Sequence, residues 1–392
     1  MSTEVPSREL LVERASQLAP TLRKNAAWAE ENRRQHDETI EAMAEAGIFR
    51  MRTPARYGGY ESDTRTLVDV GAALGRADGS PSWVASVYWI PTWMTGLFPD
   101  AVQDEVFATP DVRICGTLSP TAMAAPAEGG IIVNGKWGFM TGAHHAQWQE
   151  IVAVLISPDS EPLPIMALVP MSDLQIIDDW HTSGLQGTGS VSTVAQDLFV
   201  PQERVVPLPL VLQGQSSSQL NAGSPMYRAP LLPVASASSV GTLIGLAKAA
   251  RDTFMDRLPN RKITYTNYTS QGEAPLTHIQ VADANMKIDE AEFHAYRLAD
   301  LVDSKCADGA AWTIEERAAA RADMGYVGLR AKEAIDTFGR ASGGSSIYDG
   351  VPIQRIQRDM QAASLHALMH PDTNTELYGR VLCGLEPNTL YV

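Results

Sequence analysis

The spacing of hydrophobic residues changes twice along the chain. Up to about residue 108, apolar residues recur every three or four positions between charged ones, which is typical of amphipathic helices. From about 111 to 201 they form short alternating or β-branched runs, separated by glycine, proline and the turn signal Asn134-Gly135. Helical spacing returns from about 230 in long alanine-rich segments. The pattern predicts an α+β protein: an N-terminal helical domain, a central antiparallel β domain and a C-terminal helical bundle.

The domain boundaries follow from these changes. A chain of 392 residues is too long for one ordinary core. We predict an N-terminal helical domain over 1–108, a β domain over 109–215 and a helical bundle over 216–392. The polar stretch at 213–225 is then the loop that leaves the β domain.

Charge and composition narrow the possible partners. The formal net charge is −15, which disfavours nucleic acid and anionic membrane surfaces. No apolar run approaches the length of a membrane span, and the first residues are polar and carry acids, unlike a secretory signal. The three cysteines lack metal-ligand spacing. We therefore expect a cytoplasmic protein without a metal, a nucleic acid partner or a membrane partner.

Short motifs leave the chemistry undefined. The sequence has no phosphate-binding loop, no GxGxxG after a strand and no HExxH pair. The glycine-dense stretch 184–190, taken alone, is typical of a tight turn. His144 and His145 are adjacent, so on a strand they would face opposite sides and could not easily bind one metal.

Four longer strings are more informative, and together they resemble one family. They are ICGTLSPTAMA (114–124), GGIIVNGKWGFMTGAHHAQW (129–148), DDWHTSGLQGTGSVSTVAQDLFVP (178–201) and VPIQRIQRDMQAASLHAL (351–368). Each is moderately specific, and their order resembles that of the acyl-CoA dehydrogenase superfamily, in particular its flavin-dependent monooxygenase branch. The resemblance covers nearly the whole chain and implies an acyl-CoA dehydrogenase-like fold.

The resemblance also implies a flavin site in the β domain. Thr141 takes the place of a serine or threonine that lies near flavin N5 in the family, and an ordinary strand threonine is the alternative. Gly343 and Gly344 resemble a glycine pair that approaches the cofactor of a neighbouring subunit, which implies a homotetramer. The predicted cofactor-binding residues are Thr117, Ser119, Trp137, Phe139, Thr141, Gly187, Thr188, Gly189, Ser190, Gly343 and Gly344.

One position separates the monooxygenases from the dehydrogenases. Many dehydrogenases of the superfamily place a glutamate base about eight residues after the aspartate of the R-x-x-R-D segment. Counting from Asp359 leads to Ala367, and His366 takes the neighbouring place. An imidazole with a pKa near neutrality suits a phenol better than a carbon acid. Some members carry the glutamate on an earlier helix, so the dehydrogenase alternative stays open.

Further residues are candidates for catalysis and substrate binding. His366, Thr141 and His145 are the predicted catalytic group. Four residues are predicted to contact substrate, namely Trp89, Trp93, His366 and His370. The ring of Tyr88 is a further candidate wall. For the aromatic residues core packing is an equal alternative, and His370 could instead cap the end of a helix.

The predicted function follows from the resemblance. The chain is expected to be the oxygenase component of a two-component monooxygenase, which uses reduced flavin (FMN or FAD) and O2 to hydroxylate a small phenolic or heteroaromatic substrate through a C4a-hydroperoxyflavin. A separate NAD(P)H:flavin reductase is the expected partner, because the chain has no dinucleotide-binding fingerprint. The alternatives are an acyl-CoA dehydrogenase or oxidase, and a flavin-free scaffold protein of the same fold.

Overall fold

A computed structural model describes residues 5–158 and 160–392. The N-terminal part is helical, with a side-chain cap from Ser7, His36, Asp63 or Asp78 at the start of four of its helices. Its helices are α1 (Arg8–Gln17), α2 (Ala19–Asn32), α3 (Asp37–Glu45), α4 (Thr64–Ala77), α5 (Gly79–Thr95) and α6 (Asp100–Val106).

One sheet forms the centre of the molecule. Its strands are β1 (Ile114–Gly116), β2 (Ala122–Ala127), β3 (Gly130–Met140), β4 (Trp148–Leu155), β5 (Leu163–Pro170), β6 (Gln175–Ile177), β7 (Val191–Pro201) and β8 (Val205–Pro207). The order is β6-β7-β3-β2-β4-β5-β8, and β1 pairs with β4 beyond this path. Most pairs are antiparallel, as predicted, but β1 and β2 each run parallel to β4. The prediction of a purely antiparallel sheet was wrong at these two pairs.

The C-terminal part is a helical bundle. After the short α7 (Leu208–Leu212) come α8 (Leu231–Arg257), α9 (Pro275–Asp308), α10 (Ile314–Ala341), α11 (Pro352–Ser364) and α12 (Pro371–Leu382). The order of helices, sheet and helices confirms the predicted α+β architecture, as expected for an acyl-CoA dehydrogenase-like fold. The exact domain boundaries remain predictions.

Glycines let α4 and α8 pack backbone against backbone. A Cβ atom on Gly241 would lie 2.5 Å from the Val68 carbonyl oxygen, and one on Gly75 would lie 2.8 Å from the Thr242 carbonyl oxygen. Real contacts of this kind are sterically excluded, so both positions require glycine. The close approach joins the N-terminal helices firmly to the bundle.

The helix at Leu231–Asn260 corrects one expectation from the sequence. By length and composition it could cross a membrane, whereas no apolar run of that length was expected. However, 89% of its most apolar window is buried inside the protein. Its apolar character is accounted for by packing at the centre of the bundle.

Two hydrophobic cores lie on the two faces of the sheet. The C-terminal core contains Val152 and Leu168 of the sheet and packs against the bundle. The N-terminal core contains Ile151 and Ala167 and packs against the N-terminal helices. Helix α5 contributes to both cores, so it lies where the three parts of the molecule meet.

Candidate active site

A chain of three buried hydroxyl groups lies at the end of β3. Thr141 Oγ1 is 2.7 Å from Ser190 Oγ, and Ser190 Oγ is 2.7 Å from Thr188 Oγ1. Thr188 in turn donates to the Leu185 carbonyl oxygen at 2.8 Å. The resemblance predicted all three hydroxyl residues as part of one site, and the structure brings them into direct contact.

The hydrogen bond from Thr188 to the Leu185 carbonyl oxygen fixes the direction of the hydrogen bonds among the three hydroxyl groups. A hydroxyl group has one proton to donate and two lone pairs to accept with. Because Thr188 donates to a carbonyl, it can only accept from Ser190, and Ser190 can then only accept from Thr141. The lone pairs of Thr141 are therefore left to accept a hydrogen bond from outside the chain.

The glycine-rich loop 184–190 is held against α11. The Asp359 carboxylate accepts a hydrogen bond of 2.6 Å from the Leu185 N–H, and a Cβ on Gly184 would lie 2.0 Å from the Arg358 carbonyl oxygen. Burial, together with the nearby Asp78 carboxylate, raises the pKa of Asp359 to about 7. The loop is thus tied to the C-terminal bundle through a carboxyl group in an apolar setting.

His366 lies in the loop that follows α11. The helix ends at Ser364, and His370 is the residue that precedes α12. The two histidines therefore do not share a helical face, and His370 sits at the start of a helix, not at a helix C-terminus as proposed from the sequence. Proline at position 371 suits the first turn of α12, which explains why the chain bends here.

The surroundings of His366 determine its protonation. Its ring packs edge-on against Trp83, with ring centroids 5.5 Å apart, and its Nδ1 accepts a hydrogen bond of 3.3 Å from the Leu368 N–H. An accepting Nδ1 leaves the proton of the neutral ring on Nε2. The protein packed around the ring and the nearby Arg321 lower the pKa of His366, although its outer edge is open to solvent. The imidazole is therefore neutral at neutral pH.

A continuous series of hydrogen bonds connects His366 with Leu118, just after β1. Tyr391 donates from its hydroxyl to the Leu118 carbonyl oxygen at 2.8 Å, and its own carbonyl accepts from Arg321. Arg321 also donates to the Asn374 side chain, whose amide group donates to the Leu368 carbonyl oxygen at 2.8 Å. Leu368 returns the series to His366. The C-terminal residues thus connect His366, which packs on Trp83 of α5, with Leu118 after β1.

Partly exposed apolar side chains occur on α5 and at both ends of this series of contacts. Four hydrophobic side chains pack against the C-terminal core and still keep partial exposure: Val87, Ile90, Leu118 and Leu368. Nearly every other residue of α5 is buried, so the exposure at Val87 and Ile90 marks one face of the helix. We infer that these four side chains line one cleft, the α5 cleft, because Leu368 and Leu118 lie at the two ends of the series above and Val87 lies one helical turn from Trp83, on which His366 packs.

Three predicted tryptophans lie in the cores. Trp89, Trp93 and Trp137 are fully buried, and their indole N–H groups donate to the carbonyl oxygens of Ile48, Met226 and Val152. For Trp89 and Trp93 these contacts correspond to the alternative of core packing. Tyr88 is also buried, but its hydroxyl donates to the Gly142 carbonyl oxygen at 2.6 Å, directly beside Thr141.

Phe139 is placed differently from Trp137. It has a φ of 61° at an irregularity between β3 and β7, and its side chain is 75% exposed. There it packs edge-on against Trp180, with ring centroids 5.9 Å apart. The pair forms an accessible aromatic surface two residues from Thr141.

The remaining predicted site residues lie at several separate places. Thr117 is partly exposed and Ser119 exposed, next to Leu118 of the cleft. His145 contacts the Gln35 carbonyl oxygen through Nε2 at 3.0 Å, and burial lowers its pKa. Gly343 and Gly344 lie on an exposed loop after α10, where Gly343 has a φ of 64°.

Two recesses occur in the helical parts. One of about 810 Å³ is lined mainly by α1, α2 and α4, and one of about 440 Å³ reaches Asp359. Neither is lined by His366, Thr141 or the α5 cleft. We place the candidate site at the cleft because the neutral imidazole and the open apolar face occur there together.

Sequence reasoning missed Trp83, Arg321 and Tyr391. Trp83 had a signal, because it stands in the same aromatic-rich helix as Trp89 and Trp93. Arg321 and Tyr391 had none, since only tertiary packing brings the end of the chain to β1.

Helical layers on both sides of a central sheet are the arrangement expected of a protein of the acyl-CoA dehydrogenase type. Comparisons with known proteins agree. The family described as acyl-CoA dehydrogenase, N-terminal domain, matches residues 7–98, and acyl-CoA dehydrogenase, C-terminal domain, matches residues 237–371.

Individual relatives match nearly the whole chain. HsaA of Rhodococcus jostii, the oxygenase subunit of a flavin-dependent monooxygenase, is 30% identical over 95% of this chain and 98% of its own length. The oxygenase component of FADH2-dependent resorcinol hydroxylase from a Rhizobium species is 30% identical over 97% and 96%. The structure of XiaF from a Streptomyces species, in complex with FADH2 and glycerol, has a TM-score of 0.94 at 31% identity, over 97% of each chain.

The chain therefore belongs to the acyl-CoA dehydrogenase superfamily, in its branch of flavin-dependent monooxygenases. The family predicted from the four strings is confirmed.

Proposed function

We propose that this chain is the oxygenase component of a two-component flavin-dependent monooxygenase, which uses reduced flavin and O2 to hydroxylate a small aromatic substrate. The observation that carries the proposal is the neutral His366 imidazole at the apolar α5 cleft, where a dehydrogenase would need a carboxylate base. The full-length relatives named above are oxygenase components, so the dehydrogenase alternative is not carried further.

The residues around Thr141 suit a flavin ring. Bound reduced flavin supplies the activation of O2. Thr141 would accept a hydrogen bond from a flavin N–H, since the direction of the hydroxyl chain leaves its lone pairs free. Gly187 and Gly189 support this site indirectly, because they let the loop pack closely on the N-terminal helices: a Cβ on Gly187 would lie 3.1 Å from Ala29 Cβ, and one on Gly189 3.0 Å from the Arg33 carbonyl oxygen.

Other predicted residues have supporting places in the proposal. Phe139, with Trp180, forms an aromatic wall, while the buried Trp137 packs behind the strand. Thr117 and Ser119 supply hydroxyl groups at the end of β1. Trp89 and Trp93 hold α5 in place from inside the two cores.

His366 acts on the substrate. With Nδ1 accepting from the backbone, its Nε2 is the atom that faces a ligand, and as the N–H it orients a substrate oxygen. To take the proton of a phenol or ring N–H, and so make the ring carbon more nucleophilic, the imidazole would need the other tautomer, with Nδ1 protonated, and would give up the hydrogen bond from the Leu368 N–H. Trp83 keeps the imidazole in place by edge-on packing. His145 and His370 are the next candidates for this role.

The partner, cellular location, flavin and assembly are part of the same proposal. We propose a separate NAD(P)H:flavin reductase as partner, a cytoplasmic location, no nucleic acid or membrane partner, and either FMN or FAD as the flavin. We also propose a homotetramer in which Gly343 and Gly344 complete the flavin site of a neighbouring subunit. Supporting it, the exposed face of α9 carries Ile279, Met286 and Phe293 seven residues apart.

The test is a reconstitution with a generic flavin reductase, FMN or FAD, NADH and a panel of phenols, indoles and thiophenes. Hydroxylated product is expected only with reductase and flavin present. The chain alone should not oxidise NADH. Substrate-stimulated NADH oxidation without the reductase would contradict the two-component proposal, and failure to bind any flavin would support the scaffold alternative.

A further inference from the structure

One carboxyl group is buried in the sheet without a partner. Glu150 of β4 is 0% exposed, and both of its carboxyl oxygens lack a hydrogen-bond partner among the described residues. An unpartnered carboxylate in an apolar interior costs several kcal/mol, so such a group is kept neutral or completed by a ligand. Burial alone raises the pKa of Glu150 well above its ordinary value. The mechanism proposed above does not use this residue.

The position of Glu150 relates it to the cleft. Glu150 pairs with Gly116 in the parallel β1–β4 ladder, and a Cβ on Gly116 would lie 3.1 Å from the Glu150 Cβ and 3.3 Å from Pro91 Cγ of α5. Gly116 is itself partly exposed and directly precedes Thr117 and Leu118. Because Gly116 has no side chain, β1 packs closely against Glu150 and Pro91, which places Glu150 between β1 and α5.

The face of β4 agrees with this placement. Side chains alternate along a strand, so Glu150 shares a face with Trp148 and Val152, which belong to the C-terminal core against which Ile90 of the cleft also packs. Gln149, equally 0% exposed and with an unpartnered amide nitrogen, points to the opposite face, where the Cys115 thiol contacts it. The two neighbours are alike in burial and differ in the face that they present.

The chemistry at Glu150 selects one kind of ligand group. A neutral carboxyl group has one O–H donor and a carbonyl acceptor, which match a hydroxyl group. No cation influences Glu150 within the part of the chain that the structure describes, so nothing there would compensate a buried carboxylate of a ligand.

We propose that Glu150 is a specificity-determining residue whose carboxyl group hydrogen-bonds a neutral hydroxyl or ring N–H group of the aromatic substrate at the β1 end of the α5 cleft. Aromatic substrates that place a carboxylate there are excluded. The inference rests on the proposed function, because it assigns the α5 cleft to the substrate.

Matched ligand pairs test the proposal by binding, independently of turnover. Equilibrium dialysis measures the affinity of the full chain, with FMN, for p-cresol against 4-hydroxyphenylacetate and for indole against indole-3-acetate. The neutral member of each pair should bind at least about tenfold more tightly, because a carboxylate would be desolvated without a cation. Glu150→Leu should weaken binding of the neutral member about tenfold, the value of one hydrogen bond of about 1.4 kcal/mol.

Three further variants complete the experiment. Glu150→Gln keeps a donor and an acceptor and should stay within about threefold of the wild type. Gln149→Leu is the matched control on the opposite face and should change neither affinity. If Glu150→Leu does not fold, Glu150→Met, which is unbranched and of similar length, takes its place.

The binding results test the role of Glu150 separately from the oxygenase function. An unchanged affinity ratio in Glu150→Leu, a wild type that prefers the carboxylate members, or one that binds neither member would overturn the assignment of Glu150. If the binding results are as expected but no reductase-coupled product forms, the proposed oxygenase function fails and the binding role of Glu150 stands.

Discussion

At the scale of single residues, the hydroxyl chain explains why a threonine can serve where the family commonly has a serine. The added methyl group occupies space, but the hydroxyl still donates to Ser190 and keeps its lone pairs for a ligand. The proposed role depends on the direction of the hydrogen bonds among the three hydroxyl groups. This direction is set by the Leu185 carbonyl oxygen, which accepts from Thr188.

Substitutions at Thr141 test this direction. Thr141→Ser should retain the coupling of flavin oxidation to product, whereas Thr141→Val, of nearly the same shape, should release more hydrogen peroxide per flavin oxidised, even without substrate. The loss of one acceptor near the flavin is worth about 1 kcal/mol. The measurement is peroxide yield in a reductase-coupled assay. Equal yields for the serine and valine variants would mean that Thr141 has no polar role.

His366 should affect a different step. His366→Ala is expected to leave flavin binding intact and to slow product formation roughly 10²–10⁴-fold, the usual value of a positioned acid or base. Reduced flavin would still be consumed, with peroxide released in place of product even when substrate is saturating, because the transfer step is slow. His370→Ala is the matched control because it lies in the same loop and should keep near-normal coupling. Normal rates in His366→Ala would transfer the role to His370 or His145.

At the scale of elements, the contact between α11 and the glycine-rich loop carries a pH dependence. The pKa of Asp359 is raised to about 7, mainly by burial and then by Asp78. Between its ordinary value and about 7, the folded state therefore holds a proton that the unfolded state has lost. Stability should fall as the pH rises through this interval.

Asp359→Asn makes this dependence measurable. The amide oxygen can still accept from the Leu185 N–H, but the side chain no longer titrates. Melting temperatures recorded from pH 5 to 8 should show the wild type losing stability relative to the variant as the pH rises. A constant difference across this range would show that Asp359 does not titrate there. Asp359→Ala, which removes the acceptor as well, should also weaken flavin binding because the loop loses its anchor.

Some properties of the helices and strands could be predicted from the sequence, and others could not. Periodicity predicted the helical, sheet and helical parts, because each has one buried face with a regular spacing. It could not predict the parallel pairing of β1 and β2 with β4, since alternation along a strand is the same in both directions. The irregularity that exposes Phe139, and the turn that ends α11 before His366, depend on tertiary packing that local patterns do not record.

At the scale of the whole molecule, the site is built from segments far apart in sequence. His366 of the bundle meets Trp83 of α5, and Tyr391 at the end of the chain reaches Leu118 of the sheet. The family resemblance identified Thr141, Thr188 and Ser190 together because a motif preserves the order of such segments. It could not identify Glu150, which the fold brings to the cleft by a strand pairing alone.

The exposed face of α9 leads to a prediction about assembly. Ile279, Met286 and Phe293 are 69%, 60% and 60% exposed, and a row of large apolar side chains on one helix face favours contact with another subunit. Phe293→Lys should convert the proposed tetramer to smaller species in analytical ultracentrifugation. Flavin affinity should fall in the same variant, because Gly343 and Gly344 would no longer reach a neighbouring site.

The control is Leu220→Lys, at a similarly exposed apolar residue on a loop outside the helices, which should change neither property. A Phe293→Lys variant that dissociates but keeps full flavin affinity would show that each subunit completes its own flavin site. A wild type that is monomeric and active at micromolar concentration would contradict the assembly altogether.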